Sequence, residues 1–378
     1  MIKIALWNSE NTSRIISSLY EIGLKTEFVI VRDKNVSFEM VDDVKIISSF
    51  DAFNFYHSEY DYLIIPTILG NDISCEEVKK EIFNYDFVTE YIKWIPIDML
   101  KGGEKYDWNN FIDFDEYSYL DYLEYKLCDH CNLRCKGCSH FSNIVDEPVF
   151  RDFNNFIRDI KQLKKYIKHI YKIRILGGEP FLHPQMYEFL EVFREIYPHS
   201  DIRVCTNGTM LSKLSNNDFE MLRKNKIGVD ISVYPQFVND IGQLEDKFIK
   251  EGIFLNIESH NFFYPVLLDV KNTAPCVELR DCNDTNLYDG KLAPCPLMLT
   301  IDYFNKKFSK SYPNNNHLID IYDDKLTGKN ILMELKKTRP LCSFCVNYRK
   351  DIPGVKWQRD MGKCSSDDWI YKYVSERD

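Results

Sequence analysis

The chain has 378 residues, of which 44% are hydrophobic and 28% charged, values typical of a globular protein with room for two or three domains. Its 58 acidic and 48 basic residues give a net charge of −10, which argues against nucleic acid or an anionic membrane as the main partner. No apolar run approaches the roughly 18 residues of a membrane helix. The N-terminus also lacks the pattern of a signal peptide, so we expect a cytoplasmic protein. The 12 cysteines cluster in short spacings, which favours metal or cluster ligation in a reducing compartment over disulfides.

Residues 1–115 are predicted to form a leading α/β domain. The run 2–6 reads as a strand, and a helix follows with Ile15, Ile16, Leu19 and Ile22 on one face and Gly23 at its end. Further strands are predicted at 28–31, 44–47 and 62–65. Alternating strands and helices indicate a small parallel, Rossmann-like sheet. Because its first turn lacks the G-x-G-x-x-G pattern, we expect substrate presentation, partner docking or assembly here and no dinucleotide binding.

Three cysteines follow the next predicted strand, in which Leu123, Tyr125 and Leu127 alternate with polar residues. Cys131, Cys135 and Cys138 have C-x3-C-x2-C spacing and lie on the loop that leaves this strand. Three thiolates this close together suit one side of a cubic [4Fe-4S] cluster. Its fourth iron then lacks a protein ligand and is open to a substrate or cofactor.

A structural zinc knuckle is the alternative for the same loop. Cys135 and Cys138 form a C-x2-C pair, and Cys128 or His130 would complete a tetrahedral set. The spacing of the cysteines alone leaves both possibilities open.

A second motif lies at the end of another predicted strand, Ile173–Leu176, which runs directly into Gly177-Gly178-Glu179-Pro180. Glycine allows the backbone to approach a ligand closely, and a carboxylate pairs with an ammonium group. The cysteine loop and this turn, in this order, resemble the signature of the radical S-adenosylmethionine (radical SAM) enzymes. By this resemblance, Cys131, Cys135 and Cys138 ligate a [4Fe-4S] cluster whose free iron is chelated by S-adenosylmethionine. Gly177, Gly178 and Glu179 would hold the amino group of that cofactor.

The resemblance implies that residues 118–270 form the radical SAM core, a partial (β/α)6 barrel within an α/β fold. Helical periodicity at 153–170 and after Pro184, with strands near 202–205, 227–233 and 254–257, agrees with repeated strand–helix units. Ligands of parallel α/β folds bind at the carboxyl ends of the strands, where Asn207 and Ser232 are predicted to lie. In the family these positions often contact the ribose or carboxylate of S-adenosylmethionine. Since Gly137 replaces the aromatic residue common before the last cysteine, stacking on adenine falls to Phe141 or to another aromatic residue.

Residues 271–378 carry a further set of cysteines. Cys276, a glycine before Cys295, and the later pair Cys342 and Cys345 resemble the twitch form of the SPASM/twitch auxiliary domain. The resemblance implies that these four cysteines bind an auxiliary [4Fe-4S] cluster, with Cys282 or Cys364 as replacement ligands. Four thiolates from separate segments also suit zinc, which is the alternative.

The implied reaction is radical chemistry. Reductive cleavage of S-adenosylmethionine gives a 5′-deoxyadenosyl radical that abstracts hydrogen from substrate. We call residues 271–378 the tail. Its resemblance to twitch domains favours dehydrogenation or epimerisation of a carbohydrate-like alcohol, with the auxiliary cluster as electron acceptor and a flavodoxin- or ferredoxin-type protein as electron donor. The alternatives are a maturase that crosslinks or epimerises a ribosomal peptide and a non-catalytic zinc-binding scaffold. We expect neither nucleic acid nor membrane as a partner.

Overall fold

The structure is a computed structural model that describes residues 2–7, 12–21, 23–31, 40–67, 92–96, 112–113, 119–198, 200–235, 241–272, 282, 284–314, 318–346 and 352–372. The chain divides into two compact units, Met1–Glu116 and Tyr117–Asp378, which are described separately below. The further division at 270/271 stays a prediction.

The N-terminal unit is built on one sheet with the strand order β3-β4-β2-β1-β5-β6-β7. Its strands are β1 (Ile2–Trp7), β2 (Leu24–Val31), β3 (Met40–Val41), β4 (Val44–Ser48), β5 (Tyr62–Thr67), β6 (Ile92–Pro96) and β7 (Ile112–Asp113). The pairs β1/β2, β2/β4, β1/β5 and β5/β6 are parallel, and the short strands β3 and β7 pair antiparallel at the edges. The predicted parallel α/β unit is confirmed.

Both faces of this sheet are buried, as is usual for parallel strands. Ala5 and Trp7 pack into one apolar cluster, whereas Ile4 and Leu6 pack into another that includes Ile15 of the helix Thr12–Glu21. The helix ends as predicted at Gly23, which has a φ of +87° and donates its N–H to the Tyr20 carbonyl. A left-handed residue at this position suits glycine, which has no Cβ to clash. A short α-helical turn, Ser49–Asp51, a π-helical turn, Ala52–Tyr56, and a 3-10 turn, His57–Glu59, precede β5.

The second unit contains a sheet with the order β12-β11-β10-β9-β8-β15-β16-β17. Its strands are β8 (Tyr119–Cys128), β9 (His169–Gly177), β10 (Asp201–Thr206), β11 (Gly228–Val233), β12 (Leu255–Ser259), β15 (Asn286–Tyr288), β16 (Lys291–Ala293) and β17 (Ile319–Asp320). Strands β8 to β12 are parallel and adjacent in chain order, as the α/β prediction requires. Strand β15 joins β8 from the other side, so the tail extends the same sheet.

Shorter strands and the helices complete this unit. The two-stranded pairs are β13 (Phe262–Phe263) with β18 (Val355–Lys356) and β14 (Leu267–Leu268) with β19 (Ile370–Tyr371). The helices are Phe153–Tyr166, Met186–Ile196, Asn216–Lys224, Ile241–Lys250, Leu297–Phe308 and Gly328–Leu335, with 3-10 turns at Pro180–Leu182, Leu211–Lys213, Pro340–Phe344 and Ser366–Asp368. In the described part of the chain, no helix is both long enough and apolar enough to cross a membrane.

The two faces of the second sheet differ in chemistry. Leu123, Tyr125 and Leu127 of β8 point into the main apolar core with residues of the helices. The alternate residues form a polar face, on which Arg174 and Arg203 each pair with Asp201 and Asp230 at 2.9 to 3.2 Å. The strand alternation predicted for β8 is confirmed, and it leaves charged side chains on the face opposite the helices.

Candidate active site

The Gly-Gly turn after β9 docks directly on the backbone of the cysteine loop. The Gly178 N–H donates to the Cys128 carbonyl at 2.9 Å, and the Glu179 N–H donates to the His130 carbonyl at 3.1 Å. A Cβ at Gly178 would lie 1.8 Å from the His130 oxygen, and one at Gly177, where φ is +144°, would lie 2.2 Å from the Cys128 oxygen. The sequence predicted a close approach of these glycines to a ligand. In the structure, the backbone that they approach is that of the cysteine loop.

Glu179 is a fully buried carboxylate that organises the strand ends. Its oxygens accept hydrogen bonds from the Thr206 hydroxyl at 2.7 Å, the Asn207 N–H at 2.9 Å and the Phe181 N–H at 3.1 Å. Burial raises the pKa of Glu179 to about 7, and these hydrogen bonds oppose the rise. The carboxylate therefore braces β9 against β10. Its pairing with the amino group of a cofactor stays a prediction.

Asn207 lies at the carboxyl end of β10, beside the first cysteine. Its side-chain amide donates to the Asn132 side chain at 2.9 Å and to the Cys131 sulfur at 3.4 Å, and its oxygen accepts from the Thr209 hydroxyl at 2.6 Å. Asn132 completes the link by donating to the Thr209 hydroxyl at 2.8 Å. These bonds fix the cysteine loop to the loop that follows β10.

The three cysteines of the motif lie within electrostatic range of one another. Burial is the largest influence on Cys131 and Cys135, raising the pKa of Cys131 to about 11 and raising that of Cys135 further, and the neighbouring Cys138 thiolate raises both. As free thiols, Cys131 and Cys135 hold their protons at neutral pH, and bound iron would replace those protons. The Cys131 sulfur also accepts the Leu133 N–H at 3.4 Å, so the loop already offers donors to a thiolate.

A single zinc ion and a cubic cluster require different arrangements of their sulfur ligands. Around one zinc ion with Zn–S bonds of about 2.3 Å, the sulfurs lie roughly 4 Å apart, whereas the ligands of a cubic cluster bind separate irons. Among the described residues, no group of three or more His, Cys, Asp or Glu side chains is arranged to hold a single metal ion. Ligation of a cluster by these three cysteines stays a prediction.

Aromatic residues that the sequence analysis missed form one side of this site. Tyr234 stacks on Trp357 with ring centroids 5.6 Å apart, and on Phe263 at 5.9 Å. Burial raises the pKa of the Tyr234 hydroxyl, and the thiolates of all three motif cysteines raise it further. The side chain of Ser232, a predicted cofactor contact, lies close enough to Tyr234 to lower the pKa of its hydroxyl. Tyr234 lies two residues beyond Ser232, so the alternation of β11 contained a signal for it.

Phe141, which the sequence analysis named beside other residues as a candidate for stacking on adenine, lies in an apolar cluster of the second unit. Its side chain is fully buried and packs against Phe304 and Trp369, with ring centroids 5.3 and 5.9 Å away. A Cβ at Gly137, where φ is +74°, would lie 2.9 Å from the Asp368 carbonyl oxygen. The tail thus occupies the space that a side chain at position 137 would need, and the aromatic residues near the thiols come from elsewhere.

A buried polar enclosure lies between β8, the segment after the cysteine loop, and the tail. Asp129 accepts hydrogen bonds from Arg151 and from the Tyr303 hydroxyl, both at 2.6 Å, and its carboxylate lies 3.9 Å from the Lys126 ammonium. Burial raises the pKa of Asp129, but Lys126 and Arg151 outweigh it and lower the pKa below its ordinary value. Burial lowers the pKa of His140 to about 3, and Lys126 adds to that effect.

Several atoms of this enclosure lack hydrogen-bond partners within the described protein. They are Lys126 Nζ, His140 Nδ1, Arg151 Nε and Asn286 Oδ1. Buried polar atoms are normally hydrogen-bonded, because leaving one unpaired costs about 1–3 kcal/mol. Lys126 and Arg151 thus keep unused donor positions beside the buried Asp129 carboxylate.

The tail brings a second set of cysteines together. Burial is the main cause that raises the pKa of Cys295, and the thiolates of Cys345 and Cys282 add to it, so these three side chains are neighbours. Cys342 lies within the 3-10 turn Pro340–Phe344, Cys345 directly follows that turn, and the Cys342 sulfur accepts the Arg339 N–H at 3.3 Å. Cys276 lies outside the described residues.

The two replacement candidates differ in their surroundings. Cys282 lies close enough to Cys295 to raise its pKa, whereas the acidic neighbours of Cys364 are Asp360 and Asp368, which raise the pKa of that thiol. No disulfide joins any of the cysteines that the structure describes. The electrostatic contact with Cys295 makes Cys282 the preferred replacement candidate, and the ligand set stays a prediction.

Residues 125–250 match the family model described as the Radical SAM superfamily. The chain therefore contains a radical SAM enzyme domain, as the two sequence motifs predict. The family implies a [4Fe-4S] cluster and S-adenosylmethionine as cofactors, which confirms these two predictions at the level of the family.

The chain is similar to curated GTP 3′,8-cyclases over part of its length. It is 30% identical to that of Thermodesulfovibrio yellowstonii over 138 residues, which are 35% of this chain and 42% of the relative. With that of Nostoc punctiforme, it shares 26% identity over 220 residues, 54% of this chain and 60% of the relative. The chain thus spans less than two thirds of these relatives.

Solved structures that the chain matches include BtrN in complex with AdoMet and 2-DOIA, at 16% identity and a TM-score of 0.39, covering 59% of this chain and 92% of that chain. Streptococcus suis SuiB matches at 14% identity and a TM-score of 0.29, covering 78% of this chain and 85% of that chain.

Proposed function

We propose that the chain is a radical SAM enzyme that oxidises or epimerises a small, polar, carbohydrate-like alcohol. The observation that carries this proposal is the gathering of the Cys131, Cys135 and Cys138 thiols at the carboxyl end of β8, braced by Glu179 and Asn207 from the next two strands. Three thiols leave one iron of a cubic cluster without a protein ligand.

When bound, the cluster and S-adenosylmethionine supply a 5′-deoxyadenosyl radical, which removes hydrogen from an unactivated carbon. The protein holds these cofactors, aims the substrate hydrogen and excludes water. Gly177 and Gly178 allow the turn after β9 to lie against the end of β8 and the start of the cysteine loop, to which the N–H groups of Gly178 and Glu179 are hydrogen-bonded. Tyr234 and the rings stacked on it close one side of the site.

The polar enclosure supports the substrate class. Lys126 Nζ and Arg151 Nε are buried donors without a hydrogen-bond partner, and they lie beside Asp129, whose oxygens accept from Arg151 and Tyr303. A molecule with several hydroxyl groups carries oxygens that would satisfy such donors. An extended peptide would bring mostly backbone and apolar groups to the same position. A ribosomal-peptide maturase is therefore the weaker candidate.

The second cysteine set suits electron transfer. If Cys295, Cys342, Cys345 and one more cysteine fill all ligand positions of an auxiliary [4Fe-4S] cluster, that cluster has no open iron for substrate. Loss of a proton and an electron from a carbon radical beside a hydroxyl gives a ketone, and this cluster would accept the electron. A flavodoxin- or ferredoxin-type protein is the proposed source of the electron that starts each turnover.

The test is anaerobic reconstitution with iron and sulfide, followed by reduction in the presence of S-adenosylmethionine. We expect about eight irons per chain and formation of 5′-deoxyadenosine. Cyclitols and sugars deuterated at single carbons should then transfer deuterium into 5′-deoxyadenosine and yield a product two hydrogens lighter, or an epimer. A protein that binds two zinc ions and leaves S-adenosylmethionine intact would refute the enzyme. Deuterium transfer only from peptides would replace the alcohol with a peptide substrate.

A further inference from the structure

A short C-terminal segment runs along the cysteine loop. We call residues 355–360 the C-terminal strap. The Lys136 N–H donates to the Gln358 carbonyl at 2.9 Å, and the Asp360 N–H donates to the Arg134 carbonyl at 2.7 Å, so Cys135 and Arg359 face each other in an antiparallel bridge. The strap therefore holds the backbone of the loop on both sides of Cys135.

Trp357 of the strap donates a hydrogen bond to a cysteine sulfur. Its indole N–H lies 3.0 Å from the Cys135 Sγ, and the side chain is 7% exposed. The indole ring stacks on Tyr234 at an interplanar angle of 29°. The backbone N–H of Trp357 donates to the Asn261 carbonyl at 2.9 Å. Because packing fixes both the ring and its backbone, the donor stays directed at the sulfur.

We propose that Trp357 sets the reduction potential of the cluster bound by Cys131, Cys135 and Cys138. This inference rests on the proposed cluster at that site. One-electron reduction makes the cluster and its thiolate ligands more negative, so an N–H donor to a ligand sulfur stabilises the reduced form more than the oxidised form. The hydrogen bond thus raises the potential and makes the cluster easier for an electron-transfer protein to reduce. Trp357 is a positioning residue, since it acts through the Cys135 sulfur.

The chain provides a matched control in Trp369. Its indole N–H also reaches the cysteine loop, but the acceptor is the Cys138 carbonyl oxygen at 2.8 Å. Trp369 is fully buried and packs against Phe141, Phe304 and Phe308. Replacement of either tryptophan by phenylalanine removes one indole N–H beside the same loop, but only Trp357→Phe removes a donor to sulfur.

The experiment is an electron paramagnetic resonance redox titration of both variants and the wild-type protein, reconstituted in full and studied without substrate. The signal of the first cluster is identified as the one that changes when S-adenosylmethionine is added. In Trp357→Phe, we expect the ratio of reduced to oxidised cluster at a fixed potential to fall by roughly three- to tenfold. That change corresponds to a potential about 28 to 59 mV lower, at 59 mV per tenfold for one electron. Trp369→Phe should keep the wild-type potential.

An unchanged potential in Trp357→Phe, or an equal shift in both variants, overturns the inference. A second measurement covers the case in which Trp357→Phe does not fold. In wild-type protein labelled with 15N-indole tryptophan, pulsed resonance of the reduced first cluster should show coupling to a tryptophan nitrogen. Absence of that coupling also overturns the inference. The redox titration and the 15N coupling both require only the cluster, so they can be measured even if the protein oxidises no alcohol. A protein that forms no cluster would refute the proposed function itself.

Discussion

The two cysteine sets of the second unit are assembled in different ways. Cys131, Cys135 and Cys138 belong to one loop that starts at the carboxyl end of β8, and their spacing alone brings the sulfurs close. Cys282, Cys295 and Cys345 come from distant segments, which meet only after β15 and β16 join the sheet and the 3-10 turn Pro340–Phe344 forms.

This difference has a consequence for what holds each site together. The first loop is braced from outside, by Gly178 and Glu179 after β9, by Asn207 after β10 and by the C-terminal strap. The second set depends on packing in the tail, where Cys295 and Cys282 lie against the apolar cluster that contains Leu297 and Cys342. A local motif therefore still needs long-range contacts to keep its geometry, and a non-local set needs them to exist at all.

The largest loss of activity is expected when a cysteine of the first set, Cys131, Cys135 and Cys138, is replaced. Cys135→Ala removes one cluster ligand, so 5′-deoxyadenosine formation should fall to the background of uncatalysed cleavage, with loss of about four irons per chain. The measurement is 5′-deoxyadenosine by mass spectrometry together with iron content. Cys205→Ala is the control, because its thiol lies in β10, 3.9 Å from the Asp230 carboxylate. Retained cleavage in Cys135→Ala would remove that cysteine from the site.

The next largest effect is expected in the second cysteine set, where a replacement should affect substrate oxidation but not cleavage of S-adenosylmethionine. Cys295→Ala should lose about four irons and nearly all substrate oxidation, but keep 5′-deoxyadenosine formation, because the two sets bind different clusters. Cys364→Ala serves as the control and should keep all irons, since the acidic neighbours of its thiol are Asp360 and Asp368. Cys282→Ala is expected to behave like Cys295→Ala. The grouping seen in the tail is wrong if Cys364→Ala loses the cluster and Cys282→Ala keeps it.

A steric change tests the bracing of the first loop. Gly178→Ala places a Cβ 1.8 Å from the His130 carbonyl oxygen, which forces the turn away from the loop. We expect the free energy of unfolding to fall by about 2 kcal/mol or more, with weakened cluster retention. Thermal unfolding and iron content measure the two effects. Gly242→Ala, with no atom within 4 Å of its added Cβ, should be neutral or slightly stabilising.

The smallest expected effect concerns the charge of Glu179. Because its pKa in the folded protein is about 7, above the ordinary value of 4.5, the folded state binds this proton more tightly than the unfolded state. Its stabilising contribution is thus complete below about pH 4.5 and is lost as the pH rises through 7. Infrared spectra without S-adenosylmethionine should show a protonated carboxyl band at pH 6 that Glu179→Gln lacks and that disappears at higher pH. Identical spectra at pH 6 would contradict the raised pKa.

The sequence by itself determined the local features of this protein. Alternation in Leu123, Tyr125 and Leu127 defined β8, short spacing defined the cysteine loop, and the glycine pair defined the turn after β9, because each depends on residues that are neighbours in the chain. The helix ending at Gly23 was predictable for the same reason.

Only the tertiary structure decided which distant residues complete the site. It assigned the surroundings of the first thiols to Tyr234 and Trp357, buried Phe141 in the tail, and placed Cys282 beside Cys295. It also showed that Lys126, Asp129 and Arg151 share one buried enclosure. Some of these partners are far apart in the sequence, as Trp357 and Cys135 are, separated by 222 positions. Their contacts arise when helices and strands pack together, so neither periodicity nor the spacing of a motif predicts them.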